Sequence, residues 1–507
     1  VPIEQRSREL LRLADAVLQP GFEGTSPPDW VRRRLDEGLG GVVLFSRNIS
    51  SPAQVGELTA ALRECRPDVL VAIDEEAGDV TRMEAHTGSS RPGNLALGVV
   101  DDVALTEELA RDLGHDLAAA GVNLDYAPSG DVNSNPDNPV IGVRSFGACP
   151  DLVARHTAAW IRGLQSAGVA ACVKHFPGHG DTSVDSHLAL PVLAASMEEL
   201  AEIALPPFRA AVRAGVCAVM GGHLMVPAYD TAHPATLSRR ILVELLREEL
   251  GFDGLIVTDA IEMRAVSDRY GLAEAAVLAV AAGSDAVCVG GDLADEATAT
   301  RLRDALADAV ATGRLPEQRL VEAATRVRAL ADWVGTAVGS ARDQGTNPAI
   351  GLTAARRAIR VTVGPGQTAL PLSSAPHVVE FHPEMNQAID RRTPWGLAAP
   401  LTELLAGTTA ARLTPAEAAD AGRLTEVALT PAAGRPLVLV VRDAHRHEWM
   451  ASALNRITAA RPDAGIVEMG LPHHNEDAKP GSFHLATHGA TRVSGQAAAE
   501  VLAGYRN

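Results

Sequence analysis

Cysteine is scarce in this chain, and long apolar runs are missing. Five cysteines among 507 residues is an odd number. Three of them, Cys172, Cys217 and Cys288, lie inside apolar stretches, where free thiols pack as small hydrophobes. No disulfide framework is implied, which favours a reducing, cytoplasmic setting. No run reaches the length of a membrane span, so a soluble protein with no membrane span is expected. Cations are also short: 45 Lys and Arg stand against 63 Asp and Glu, a formal charge of −18. That balance excludes nucleic acid and anionic membrane surfaces as partners. The start, Val1-Pro-Ile-Glu4, has no signal-peptide pattern. It also lacks an initiator Met, which leaves trimming and export open. There is no phosphate-binding P-loop, no Gly-x-Gly-x-x-Gly turn opening a helix and no Gly-x-Ser-x-Gly elbow, so nucleotide and serine-esterase chemistry are disfavoured. No internal repeat is visible.

What is present is an alternation. Short apolar runs at 41–45, 69–73, 122–126, 169–173, 216–220, 255–258 and 286–289 are separated by amphipathic stretches such as 53–63, 105–120, 151–166 and 241–250. Near-continuous apolar strands between helices predict a parallel sheet covered on both faces. Polar residues gather just after the strands: Asp74, Asp125, Lys174, His175, His223 and Asp259. Chemistry spread over many strand ends is the habit of a (β/α)8 TIM-like barrel. An open doubly wound sheet would also bind at strand ends, but the number of runs favours the barrel. The barrel is expected over 1–335, with a linker at 336–350 rich in Gly, Ser, Asn and Pro. A smaller three-layer αβα sandwich is expected over 351–507. Its strands are predicted at 358–363, 377–381, 436–441 and 465–469, and its helices at 447–460 and 495–502. Residues 400–435 are ambiguous.

The densest chemistry is Lys174-His-Phe-Pro-Gly-His-Gly-Asp-Thr-Ser-Val-Asp-Ser-His187. Three histidines, two aspartates and a lysine are packed among glycines and a proline at the end of an apolar strand. Single residues of this kind are commonly structural; the set implies proton transfer or the grip of a polar ligand. A metal is the competing reading, since His175, His179, Asp181, Asp185 and His187 are suitable ligand types. The loop lacks a helical His-x3-His pair with a general-base Glu, so no metal and no other cofactor is assigned.

Other strand ends supply partners. Asp259 follows the strand 255–258 and can face the histidine loop, as a carboxylate facing a proton donor does in glycoside cleavage. Its competing role is an N-cap for the next helix, with Glu262 completing a capping box. Asp74 opens an acidic loop, Asp74-Glu-Glu-Ala-Gly-Asp79, which is either solvated or an acceptor for sugar hydroxyls. Arg144 lies in a long polar loop and can fork onto a ligand, or simply face solvent. His223 follows the run at 216–220. The second segment carries no comparable motif, and His445, His447, His473 and His474 are expected to be dispensable for chemistry.

The 174–187 stretch resembles the signature of glycoside hydrolase family 3 β-N-acetylglucosaminidases of the NagZ-type branch. Supporting likenesses run over most of residues 10–335, at Gly40 to Phe45 with Arg47-Asn-Ile49, Ile73-Asp74, Asn123 to Pro128, Asn135 to Phe146 and Val257 to Asp259. The likeness of the second domain to that of two-domain members is weaker. The resemblance implies a retaining exo-enzyme that removes terminal β-GlcNAc from peptidoglycan fragments or short chitooligosaccharides. It implies Asp259 as nucleophile and His187 as acid/base, oriented by Asp185. It also implies sugar contacts from Asp74, Arg144, Lys174 and His175, with His223 and Met263 lining the pocket. A histidine suits the role, because imidazole exchanges protons near neutral pH and a neighbouring carboxylate fixes its tautomer.

The chain departs from the family's usual Asp-Gln-Glu-Gly-Gly-Arg after Ile73. Glu75, Ala77 and Asp79 replace Gln, Gly and Arg, which puts the preference for an anionic muramyl aglycone in question. The alternatives are phosphate as acceptor, making the chain a phosphorylase, a family-3 β-glucosidase, and a catalytically silent sugar-binding protein. Intact Asp259, Asp185 and His187 argue against the last.

Overall fold

The computed structural model describes residues 7–337, 347–363, 370–472 and 482–505. The linker expectation therefore falls largely outside the described residues, as do His473 and His474. Contacts divide the chain into two units. The first comprises Val1–Glu76, Val103–Ile141 and Gly147–Asn347; the second comprises Ala77–Asp102, Gly142–Phe146 and Pro348–Asn507. Two short stretches of the first two thirds thus pack with the second unit.

The first unit holds eight short strands: β1 (Leu18–Pro20), β2 (Gly41–Leu44), β3 (Leu70–Ile73), β4 (Leu124–Asp125), β5 (Ala170–Phe176), β6 (Ala218–Gly221), β7 (Leu255–Thr258) and β8 (Val287–Val289). Strands β2 to β7 pair in chain order, every pair parallel, and β1 pairs with β8, also parallel. A parallel bridge between Val257 and Ala286 joins β7 to the residue before β8. Alternate residues turn to a shared interior: Val43, Ala72, Tyr126, Cys172, Met220, Val257 and Cys288 belong to one buried cluster. Side chains of strands at opposite ends of the pairing order meet there, so the sheet is curled. Each strand is buried along its whole length, which is why these strands read as continuous apolar runs.

Helices Pro52–Cys65, Val103–Ala119, Pro150–Ser166 and Leu272–Ala282 lie between strands. The first starts under Ser51, whose side chain accepts from the Gln54 N–H, with Pro52 as the first helical residue. A helix end satisfied in this way needs no further partner. No helix among the described residues is long and apolar enough to cross a membrane.

The second unit has a six-stranded sheet of β9 (Arg360–Val363), β10 (His377–Phe381), β11 (Thr409–Leu413), β12 (Leu437–Val441), β13 (Gly465–Glu468) and β14 (Phe483–Ala486), in the order β11-β10-β12-β13-β14-β9. Only the β14–β9 pair is antiparallel. Successive residues face opposite ways: Val379, Leu439 and Val441 pack with Met450, Ala453 and Ile457 of one helix. Val378, Val438 and Val440 pack with Leu401 and Leu502 of two others. Both faces of this sheet are covered.

Asp79 lies in this unit. Its carboxylate pairs with the buried guanidinium of Arg442, just after β12, and accepts the Ala490 N–H at 2.8 Å. The acid that stands where the family carries Arg is therefore matched by a cation of its own unit.

Candidate active site

The site is built on strand ends of the first unit. Lys174 is held in β5 and is 2% exposed. Its Nζ donates to Asp74 Oδ1 at 2.5 Å and meets Glu76 Oε1 at 2.7 Å. Asp74 and Glu76 both follow β3, so two neighbouring strands bring these charges together. Beside them Asp125, at the end of β4, accepts the Glu75 N–H at 2.9 Å. Burial pushes the Asp125 carboxyl well above the usual carboxylate range, and the charge of Glu75 adds to that. The Glu75 N–H and Lys174 pull the other way. A neutral Asp125 leaves Lys174 to balance fewer anions.

His175 is the next residue of β5. Its Nδ1 lies 2.8 Å from Asp131 Oδ2, and Asp131 also accepts the N–H of His179 at 2.7 Å and the hydroxyl of Ser129 at 3.0 Å. Asp131 is fully buried. Burial opposes its ionisation, yet the imidazoles of His175 and His179 and the His179 N–H overcome this and hold its carboxyl below the usual range. The close approach needs Gly180, because a Cβ there would stand 1.8 Å from the Val132 carbonyl oxygen. His179 has both ring nitrogens engaged, with Thr182 Oγ1 at 2.7 Å and Ser186 Oγ at 3.1 Å. It braces the loop. Asn138 adds a hydrogen bond from Nδ2 to the His179 carbonyl at 2.8 Å.

That bracing presents the next two residues of interest. His187 Nδ1 lies 2.7 Å from Asp185 Oδ1, and the same oxygen accepts the His187 backbone N–H at 2.9 Å. Burial resists ionisation of Asp185, but the hydrogen bond and charge of His187 hold it below the usual carboxylate range. With Nδ1–H donated to a carboxylate, Nε2 is the atom left for proton exchange. The His187 side chain is 25% exposed and that of Asp185 7%, so the imidazole edge faces outward while its anion stays sheltered.

Asp259 follows β7. Its Oδ1 accepts the Ala260 N–H at 2.7 Å. Burial would raise its pKa, but the imidazoles of His223, His175 and His187, together with the Ala260 N–H, bring it down to about 2. The capping alternative fails on geometry. The next helix begins at Arg264 with Met263 at its N-cap, five residues beyond Asp259. Glu262 turns instead to the Gly290 N–H at 2.7 Å. Met263 is buried in the intervening turn, with its N–H on the Ala260 carbonyl at 3.0 Å.

His223 is fully buried. Its Nε2 donates to the Ala260 carbonyl at 3.1 Å, and its Nδ1 lies 2.9 Å from Thr236 Oγ1. Burial lowers its pKa despite the charge of Asp259. The neutral ring then carries its proton on Nε2 and accepts the Thr236 hydroxyl at Nδ1. This pins the turn that carries Asp259.

One candidate stands apart. Arg144 belongs to the second unit, buried in a short helical turn at Gly142–Arg144, with its carbonyl accepting from Asn94 Nδ2 at 2.7 Å. The structure also adds residues that sequence reasoning did not single out, namely Asp131, Glu76 and the bracing role of His179. Among the described residues no group of three or more His, Cys, Asp or Glu is placed to share a metal ion.

The arrangement joins an ionised, sheltered carboxylate with an imidazole whose tautomer is fixed by a second carboxylate. That pairing suits attack at a carbon centre with protonation of a leaving oxygen. The comparisons with known proteins agree with this chemistry. The chain is 34% identical over 331 residues to beta-hexosaminidase A of Pseudoalteromonas piscicida, covering 60% of this chain and 55% of that protein. The match thus spans about half the length of that relative. It is 39% identical over 276 residues to a beta-hexosaminidase of Neisseria meningitidis serogroup C, covering 52% of this chain and 75% of that one. A glycoside hydrolase family 3 beta-N-acetylglucosaminidase from Paenibacillus sp. str. FPU-7 has a similar structure, with a TM-score of 0.87 and 34% identity over 98% of this chain and 97% of that one. Residues 29–330 match the profile of the Glycosyl hydrolase family 3 N terminal domain, more than half of the chain, and the chain belongs to that family.

Proposed function

We propose that the protein is a retaining exo-β-N-acetylglucosaminidase that removes terminal GlcNAc from peptidoglycan fragments or short chitooligosaccharides. The likeness to beta-hexosaminidases and to a beta-N-acetylglucosaminidase supports the reaction class. The observation that carries the mechanism is the His187–Asp185 contact at 2.7 Å, with Asp259 in the field of the same imidazole. In this reading Asp259 attacks the anomeric carbon while His187 Nε2–H protonates the departing oxygen, and the glycosyl-enzyme forms. The neutral imidazole then takes a proton from water, which attacks the anomeric carbon and frees Asp259. Asp185 orients the ring and stabilises the imidazolium. Asp74 and Lys174 hold sugar hydroxyls, aided by His175.

The eight strands are taken to close as a (β/α)8 barrel, and the second unit to form an αβα sandwich. Water is the acceptor. The test is turnover of p-nitrophenyl β-GlcNAc with and without phosphate, with the products followed by NMR. The expected outcome is free GlcNAc, first as the β-anomer, at a rate independent of phosphate. Formation of GlcNAc-1-phosphate makes the enzyme a phosphorylase, and first release of the α-anomer makes it inverting.

A further inference from the structure

The loop that carries His187 has a surface unlike the rest of the chain. Between Lys174 and Arg209 there is no Lys or Arg, while Asp181, Asp185, Glu198, Glu199 and Glu202 are all acids. Large hydrophobic side chains exposed among the described residues are few. Val184, Leu188, Val192, Met197 and Ile203 are in this stretch; the others are Val361, Val363 and Tyr505. Leu188 is 54% exposed and Val184 38%. Neither lies on a free end. The loop is tied before them by His179 and Ser186, and after them by the Leu193 N–H on the Met225 carbonyl at 2.8 Å. A braced loop that keeps apolar side chains in water forgoes burial energy at each one, which points to an apolar partner that arrives with the substrate.

The chemistry locates that partner. A general acid must touch the leaving oxygen, so the residues flanking His187 meet the leaving group and not the sugar gripped by Lys174 and Asp74. Val184 and Leu188 are three before and one after His187. A β-linked pyranose presents a face of axial C–H groups that suits such side chains. A carboxylate on the leaving group would find only acids on this loop, and like charges there act against binding.

We propose that Val184, Leu188 and Val192 form the leaving-group subsite, and that it takes a neutral, β-linked amino sugar in preference to an anionic muramyl residue. The proposal rests on His187 as the acid and narrows the substrate to the chitooligosaccharide class.

The test compares kcat/KM for methyl β-GlcNAc, N,N′-diacetylchitobiose and GlcNAc-β-1,4-MurNAc. The wild type should prefer chitobiose to the muramyl disaccharide by about tenfold or more. Leu188→Ser and Val184→Ser should each lower kcat/KM on chitobiose by roughly tenfold, the usual size of a lost apolar contact. The methyl glycoside, too small to reach these residues, should change by no more than about twofold. Leu188→Lys should raise activity on the muramyl disaccharide. A wild type that prefers the muramyl disaccharide overturns the proposal. So do Ser variants that slow chitobiose and the methyl glycoside alike. If the wild type cleaves no β-GlcNAc substrate, p-nitrophenyl β-GlcNAc included, the reaction assignment itself falls. Cleavage of the aryl substrate without the chitobiose preference removes only the subsite.

Discussion

Asp185 holds His187 twice through one carboxylate oxygen, which accepts both the ring Nδ1–H at 2.7 Å and the backbone N–H at 2.9 Å. The orienting group and the ring are thus locked together within three residues of chain. Asp185→Asn keeps an acceptor oxygen but removes the charge that stabilises the imidazolium. It should lower kcat on chitobiose by about 10²-fold, in the usual range for general acid catalysis, with less effect on aryl glycosides whose leaving groups need no proton. His187→Ala should show the same split more strongly. Azide, which needs no base, should then restore turnover and give the β-glycosyl azide. Equal slowing of all substrates, with no azide rescue, would make His187 a binding or structural residue.

The pH profile isolates Asp259. Its pKa of about 2 depends on nearby imidazoles, which are charged at the acid pH where the carboxyl takes up its proton. In His187→Ala with a dinitrophenyl leaving group, no acid is needed, so the acid limb reports the nucleophile. Two imidazoles remain, and that limb should lie below about pH 4, the ordinary carboxylate value. A limb between pH 5 and 6 would assign the attack to another group.

Lys174 is the buried counter-charge of Asp74 and Glu76. Lys174→Met leaves two anions without it, and breaking a buried pair of this kind costs about 3–5 kcal/mol. Urea unfolding at pH 7 should show a loss of that size, together with loss of activity. A change below about 1 kcal/mol would mean that Lys174 serves the ligand and not the fold.

Asp131 has its pKa lowered in the folded chain. Its contribution to stability is therefore present above the unfolded carboxylate value and is lost as pH falls through the folded one. Asp131→Asn should lower stability at pH 7 and flatten its fall between about pH 5 and 3. It should also raise KM, because His175 loses its anchor. An unaltered pH dependence of urea midpoints would contradict this role.

The strands were legible where they are buried on both faces: β3, β5 and β7 read directly as apolar runs. β1, Leu18-Gln-Pro20, was missed because three residues of mixed polarity form no run. β11, Thr409–Leu413, was missed because most of it is exposed at the edge of its sheet. Within the site, Asp185 and His187 were visible because two residues of spacing suffice to place them. Asp131 and Glu76 were not, since their partners come from other strands and only the fold brings them together. The same holds for Asp79, which meets Arg442 from a position 363 residues away. It holds too for the assignment of 77–102 and 142–146 to the second unit, since composition does not record which body a loop packs on.

The covalent role of Asp259 is the central claim, and trapping tests it directly. A β-GlcNAc donor with fluorine at C5 and a good leaving group has a destabilised oxocarbenium-like transition state, so a glycosyl-enzyme should accumulate. Digestion and mass spectrometry should then find one added fluoro-GlcNAc on the peptide containing Asp259, and none in Asp259→Ala. A label on Asp74, Glu76 or any other residue, or turnover with no label at all, would contradict the account.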